Sequence, residues 1–191
     1  MGRKKEFDED AVLHKAMRLF WEQGYEKTSM QELVSHMGIH KKSMYDTFGD
    51  KQSLYVKTLK RYSEMLEESV KHGMADTRSA KEAIRLLFEM AIQQQEELPG
   101  GCFVVNTAVE LAKHDSEAID WVHLKWTDTE QLIQDLIVEG QKSGEFSKTL
   151  NVEELSYYFI NALIGLRVMA KTISDREKLR QIIEMNMSVL E

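Results

Sequence analysis

The feature that most constrains this chain is a pair of short amphipathic segments on either side of Gly38. The first begins at Ser29, which stands three residues before Glu32, the spacing of a capping box in which each side chain bonds a backbone amide. It carries an apolar stripe at helical spacing, formed by Met30, Leu33, Val34 and Met37. Gly38 tolerates the positive φ at which a helix ends and the chain turns. A second short helix is predicted over about 40–46, so the whole is typical of a helix-turn-helix whose second helix enters the DNA major groove.

The residues in and around this pattern resemble the tetracycline-repressor (TetR) family over roughly the first 55 positions. The positions that match in order and spacing are Ala16, Leu19, Phe20, Gly24, Tyr25, Thr28, Leu33, Gly38, Ile39, Ser43, Met44, Tyr45, Phe48, Lys51 and Leu54. The resemblance implies a homodimeric, all-helical transcription regulator, in most members a repressor that leaves DNA when a small molecule binds. This chain departs from the family pattern at His40, where Ser or Thr usually caps the recognition helix, and at Lys42, where Gly is usual. Both departures bear on the operator sequence.

Helical periodicity continues along the rest of the chain, without a strand pattern or a repeat. The first helix is predicted from Asp8 to about Gln23, and Asp50 caps a long helix that ends near residue 72. Further helices are predicted over about 79–91, 102–113, 116–142, 152–172 and 174–190. We therefore predict an all-α protein in which an N-terminal three-helix helix-turn-helix head, residues 1–50, precedes a C-terminal helical domain, residues 51–191. The resemblance assigns ligand binding and dimerisation to the second domain.

Composition excludes several classes of protein. The chain has 191 residues, 42% of them hydrophobic, but no apolar run of 18 residues, so no membrane span is predicted. The N-terminus lacks the apolar stretch of a secretory signal, and a single Cys excludes an internal disulfide framework, so we expect a cytoplasmic protein. The net charge of −7 divides into +2 for residues 1–60 and −9 for the remainder. This division permits the head to contact phosphates, because each charge acts locally.

The predicted DNA-binding residues lie on and beside the second helix of the head. The candidates for base edges or nearby phosphates are Lys41, Lys42, Ser43 and Asp46, since a Lys contacts guanine acceptors and a carboxylate accepts from cytosine. The positions that hold the phosphate backbone in relatives are matched here by Thr28, Tyr45 and Lys51, and Ser29 adds a hydroxyl at a helix start. A basic arm before the first helix consists of Arg3, Lys4 and Lys5. The alternative is that these charges are merely solvated helix surface.

His40 has two interpretations. A His at this position can bond a phosphate and respond to pH, or its side chain can replace the missing Ser or Thr cap. The second interpretation is the one that we favour from the sequence.

The resemblance places a ligand pocket among the helices between residues 79 and 170. The candidate lining residues are Met90, Cys102, Phe103, Trp121, Trp126, Tyr158 and Met169, although aromatic residues at helical spacing more often belong to the core or to a dimer interface. A small-molecule inducer of unspecified identity is implied, and neither a cofactor nor a metal is expected. His residues show no spacing with Cys or carboxylates that is typical of zinc ligands.

Cys102 follows Pro99, Gly100 and Gly101, so we expect it in the first turn of the next helix, where the helix dipole stabilises a thiolate. An alternative function is therefore a redox- or electrophile-sensing regulator, with Lys171 as a cationic partner of the thiolate. The more ordinary interpretation is that Cys102 is a small buried hydrophobe.

The last two predicted helices carry small residues at Asn161, Ala162 and Gly165 that permit another helix to come close. In the resembled family these helices form a four-helix bundle with their mates, so a homodimer is implied. An enzyme is disfavoured, because the chain has no phosphate-binding loop, dinucleotide fingerprint or nucleophile elbow. The remaining alternative is a helical adaptor whose head binds protein instead of DNA.

Overall fold

The computed structural model describes residues 7–93, 99–113 and 116–191. Within these ranges the chain forms nine α-helices, one short 3₁₀ turn and no strand, which confirms the predicted all-α class. Across the same ranges no helix combines the length and the apolar character that a bilayer span requires. The helices are α1 (Glu9–Gln23), α2 (Met30–Met37), α3 (Lys41–Phe48), α4 (Lys51–Met74), α5 (Ala80–Ile92), α6 (Phe103–Leu111), α7 (Ser116–Ser143), α8 (Val152–Thr172) and α9 (Arg176–Met187), and the 3₁₀ turn spans Ser188–Leu190.

Helices α1, α2 and α3 form the head, and its local signals act as the sequence predicts. The backbone N–H of Glu32 donates to the Ser29 hydroxyl at 3.2 Å, and the Ser29 N–H donates to the Glu32 carboxylate at 2.8 Å, so the capping box is closed. Gly38 ends α2 at φ 71°, in the left-handed region that glycine enters without strain. Leu33 and Met37 of α2 are buried in one core cluster with Phe20 of α1.

An aromatic cluster joins the head to α4 and α6. The ring of Tyr55, on α4, has its centroid 4.9 Å from that of Phe20 and 5.4 Å from that of Phe103. The Tyr55 hydroxyl lies 2.8 Å from Thr107 Oγ1. Because the Thr107 hydroxyl already donates to the Phe103 carbonyl at 2.8 Å, its single proton is used and Tyr55 is the donor. The core of the head therefore extends through α4 into α6.

A second core lies among α5, α7, α8 and α9. Phe88 of α5 and Phe159 of α8 are fully buried there, with ring centroids 5.9 Å apart in an edge-to-face arrangement. At its surface Arg85 of α5 donates two hydrogen bonds to the Glu184 carboxylate of α9, one of them from Nη2 at 2.8 Å. This pair is largely exposed, so it orients the two helices more than it stabilises them.

Candidate nucleic-acid interface and ligand cavity

Helix α3 divides into a buried side and an exposed side. Met44 and Phe48, one turn apart, are 0% and 4% exposed and anchor the helix in the core of the head. The opposite side, which we call the α3 face, consists of four exposed residues, Lys41, Lys42, Tyr45 and Asp46. Ser43 lies half-buried beside them. The structure thus brings the predicted residues of α3 together on one solvent-facing surface.

The two ends of α3 are held differently. His40 occupies the N-cap position with an extended backbone, but its side chain makes no capping hydrogen bond. The expectation that His40 replaces the missing cap is therefore wrong, whereas Ser29 and Asp50 do cap α2 and α4. No acidic residue stands in the first turn of α3, so its amides and the positive end of its dipole face outward without a side-chain acceptor. At the other end Lys57 Nζ donates to the carbonyl of Phe48 at 3.0 Å, a contact that the sequence did not reveal.

Thr28 and Ser29 precede α2 but differ in their exposure to solvent. Thr28 is 0% exposed, and its hydroxyl donates to the Gly24 carbonyl at 2.5 Å. This burial contradicts the predicted phosphate contact of Thr28, because a side chain without exposed surface cannot reach the DNA backbone. Ser29 is exposed, and its oxygen serves the capping box.

Lys51, the first residue of α4, lies against the turn between α1 and α2. Its ammonium is 4.2 Å from the ring centroid of Tyr25, a cation–π contact that limits where the charge can move. Lys51 is half-buried, and its phosphate contact stays a prediction. Lys4 and Lys5 lie outside the described residues.

Glu110 of α6 connects the C-terminal part to the head. Its carboxylate accepts the backbone N–H of Tyr25 at 3.0 Å and that of Glu26 at 2.9 Å. Gly24 makes room for it: a Cβ built there would stand 2.7 Å from Glu110 Oε2, and the φ of 87° also favours glycine. No local sequence signal marks this contact, since the partners are 84 and 85 residues apart.

Two cavities adjoin each other in the C-terminal part. The α4–α6 cavity has a volume of about 190 Å³ and is lined by residues that include Trp21, Tyr62, Met90, Gly101 and Cys102. The α4–α7 cavity has a volume of about 570 Å³, and its lining includes Ser63, Met74, Val104, Trp126 and Leu132. Both are lined in common by Leu66, Val70, Leu87 and Arg167.

The predicted pocket residues separate into two groups. Met90, Cys102 and Trp126 line these cavities, and their contact with a ligand stays a prediction. The other four do not line either of these two cavities. Phe103 is 1% exposed within the aromatic cluster, and Trp121 donates its indole N–H to Ser63 Oγ at 3.1 Å. Tyr158 is 40% exposed on the surface of α8, and Met169 packs on the second core.

Comparison with known proteins decides the family. The description "Bacterial regulatory proteins, tetR family" matches residues 12–58, and "Tetracyclin repressor-like, C-terminal domain" matches residues 80–185. YezE of Bacillus subtilis, an uncharacterised HTH-type transcriptional regulator, is 32% identical over 194 residues that cover both chains fully. This chain belongs to the TetR family of transcriptional regulators.

Other relatives agree with this TetR-family assignment. ComR of Escherichia coli, an HTH-type transcriptional repressor, is 30% identical over 187 residues, which cover 95% of this chain and 88% of ComR. A cysteine-substituted variant of the TetR-family regulator CifR, solved in complex with a 26-base-pair operator, has a TM-score of 0.89 at 27% identity and covers both chains fully. TetR-family regulators are DNA-binding proteins without enzymatic activity.

In this TetR-family regulator Cys102 is buried, being 4% exposed, and it occupies the N-cap position of α6 instead of the first turn. The thiol lies beside the Tyr62 phenol, and the two residues line the same cavity. The predicted partner Lys171 donates instead to Asn106 Oδ1 at 3.3 Å. Burial favours the interpretation of Cys102 as a small buried hydrophobe, and a sensing role stays a prediction.

Tyr62 and Arg167 line these cavities but were not predicted from the sequence. Burial raises the pKa of Tyr62 well above its ordinary value, and the neighbouring Cys102 adds to the rise, while the charge of Arg167 opposes it. The phenol therefore stays neutral. The sequence does single out Arg167, because it is the one charged residue between Tyr157 and Ala170. The other residues of this segment of α8 are apolar or uncharged.

Proposed function

We propose that this regulator binds a palindromic operator as a homodimer, represses transcription there, and releases the DNA when a small-molecule inducer binds. The α3 face carries the proposal, since it presents two lysines, a phenol and a carboxylate on one exposed side of a helix whose other side is fixed in the core. The uncapped first turn of α3 adds outward amides that suit a phosphate oxygen. The operator complex of CifR supports the same role here.

The direct test is a gel-shift experiment with the DNA upstream of the chain's own gene, at low and at physiological salt. We expect a specific complex that competitor DNA of unrelated sequence does not displace. The main alternative is a helical adaptor whose head binds protein. Absence of any complex at low salt would overturn the regulator proposal and favour that adaptor, because electrostatic DNA binding is strongest at low salt.

Lys51→Ala is expected to weaken DNA binding to all sequences alike. If the ammonium contacts a phosphate, its loss lowers the slope of log K against log salt by about 1, since roughly one fewer counterion is released. The measurement is a salt titration of operator affinity for the wild type and the variant. Lys142→Ala, an exposed lysine in the last turn of α7, is the control and should leave the slope unchanged.

Lys42→Ala provides a matched comparison within the head. A base-reading lysine contributes discrimination of about 1–3 kcal/mol at one base pair, so this variant should relax sequence preference at that position. An unchanged preference for Lys42→Ala, or an unchanged salt slope for Lys51→Ala, would remove that residue from the proposed interface.

The dimer proposal rests on apolar side chains left exposed along α8 and α9. Tyr158 and Val168 of α8 are 40% and 50% exposed, and Met185 of α9 is 70% exposed. Between them Gly165 is exposed, with no atom within 4 Å of a Cβ built on it, so another helix has room to approach. Burial of such side chains against a second copy is favourable, and two heads about 34–36 Å apart would read a palindromic site.

Val168→Asp is expected to convert the dimer to a monomer, because a carboxylate would be buried without a partner at the proposed interface. Light scattering after size-exclusion chromatography should give twice the chain mass of 22.2 kDa for the wild type and the single mass for the variant. Val109→Asp is the control, since Val109 is 79% exposed and lies on α6, a helix that is not part of the proposed interface. A monomeric wild type would contradict the dimer proposal.

We propose that residues 1–50 bind DNA and that residues 51–191 bind the ligand and form the dimer. The two cavities support a ligand-binding role, because the larger one falls within the range of about 300–1,000 Å³ that is usual for small-molecule sites. The contact between Glu110 and the turn after α1 connects α6 physically to the head. Val104 of α6 lines the α4–α7 cavity, and Cys102, the N-cap residue of α6, lines the α4–α6 cavity.

A further inference from the structure

Arg167 is the cation that the two cavities share. It is half-buried on α8, lines both cavities, and its charge acts on the Tyr62 phenol. Among the described residues no carboxylate forms an ion pair with it. A guanidinium in a mostly apolar lining is costly to desolvate unless an anion compensates it.

The acidic residues of the α4–α7 cavity are already compensated. Lys125 Nζ lies 2.8 Å from Glu67 and 2.6 Å from Asp128, so these two carboxylates share one ammonium. Burial alone would lower the pKa of Lys125, but the hydrogen bonds and the charges of both carboxylates together raise it above its ordinary value. The ammonium therefore stays protonated, and these carboxylates are not turned toward Arg167 as ion-pair partners in the structure.

The polar atoms of the lining that lack a partner are hydrogen-bond donors. The indole Nε1 of Trp21, in the α4–α6 cavity, and that of Trp126, in the α4–α7 cavity, are buried without an acceptor among the described residues. Trp21 as a whole is 7% exposed. With Arg167, the lining thus offers positive charge and N–H groups, and the complementary ligand is one that brings acceptors.

The remainder of the shared lining is apolar. Leu66, Val70 and Leu87 border both cavities, and Leu132 extends this surface in the α4–α7 cavity. Such a surface favours a hydrocarbon or aromatic body of a ligand, through loss of water-exposed apolar area.

We propose that these cavities bind a carboxylate with an apolar body, whose carboxylate pairs with Arg167 and whose body lies along the α4–α7 cavity. The planar guanidinium matches a carboxylate through two parallel hydrogen bonds, which a neutral amide cannot reproduce. That this ligand acts as the inducer rests on the proposed function above, whereas the class of ligand rests on the cavity alone.

The test compares matched probes on the DNA-free protein by isothermal titration calorimetry. The probes are octanoate, octanamide and octylammonium, and phenylacetate with phenylacetamide. We expect each carboxylate to bind at least tenfold more tightly than its neutral counterpart, and octylammonium to bind weakest. Arg167→Met should abolish this preference, Arg167→Lys should retain part of it, and Arg180→Met on α9, outside both cavities, should leave it intact.

Equal binding of the carboxylate and the amide, tighter binding of the ammonium, or no binding of either carboxylate at millimolar concentration would each overturn the proposal. A preference that survives in Arg167→Met would overturn the role of Arg167. Gel shifts with the same probes separate the two proposals. Carboxylates that bind without releasing DNA contradict the inducer role but support the ligand class, whereas release by neutral probes alone supports the inducer role and contradicts the ligand class.

Discussion

Replacing Tyr55 with alanine is expected to lower the free energy of unfolding by about 3–5 kcal/mol, the range for removing a large aromatic side chain from a core. Tyr55 is 0% exposed and packs between Phe20 of the head and Phe103 of α6. Its removal leaves a cavity where three elements meet and deprives Thr107 of its donor. Denaturant unfolding at a fixed protein concentration measures the change, since dimerisation makes stability concentration-dependent.

Tyr55→Phe is the matched variant, because it removes the hydroxyl and keeps the ring. The loss should be about 0.5–1.5 kcal/mol, the usual net contribution of one hydrogen bond. If Tyr55→Ala costs no more than Tyr55→Phe, the aromatic cluster does not hold the head to α6 in the way that the structure indicates.

Glu110→Gln is expected to cost about 1.5–3 kcal/mol, the range for hydrogen bonds to a charged group. The carboxylate accepts from both Tyr25 and Glu26, whereas a glutamine has one acceptor oxygen and would turn an N–H₂ group toward the other amide. Amide hydrogen exchange should become faster at Tyr25 and Glu26, and denaturant unfolding should show the overall loss.

Glu139→Gln, an exposed carboxylate on α7, is the control for Glu110→Gln and should change neither measurement. Unchanged exchange at both Tyr25 and Glu26 would contradict the contact between α6 and the head. A loss of operator affinity in Glu110→Gln, with α3 itself unaltered, would show that this contact also sets the position of the head for DNA.

The predictions that the structure confirms rest on neighbouring residues. The capping box of Ser29 and Glu32, and the turn at Gly38, depend on groups only a few residues apart. The bounds of α8 follow from its apolar periodicity and from Asn151, whose side chain accepts from the first amides of the helix. Such signals are complete within one turn, so a sequence pattern is sufficient to recognise them.

The predictions that failed required knowledge of distant neighbours. Thr28 matches a family position, yet its burial depends on how the α1–α2 turn packs. Tyr158 has the aromatic character of a pocket residue but lies on the outer side of α8. An aromatic side chain at helical spacing suits a core, a pocket or an interface equally well, and periodicity cannot say which helix it will face.

The sequence therefore established the helices, the helix-turn-helix and the exposed basic residues of α3, because each is encoded by local spacing. Tertiary packing established that Glu110 bonds the head across 84 and 85 residues. It also established that Arg167 lines both cavities, with Trp21 in one and Trp126 in the other. These contacts arise where helices distant in the chain pack together, and burial of the whole core stabilises that packing. No single segment of the sequence therefore encodes such a contact.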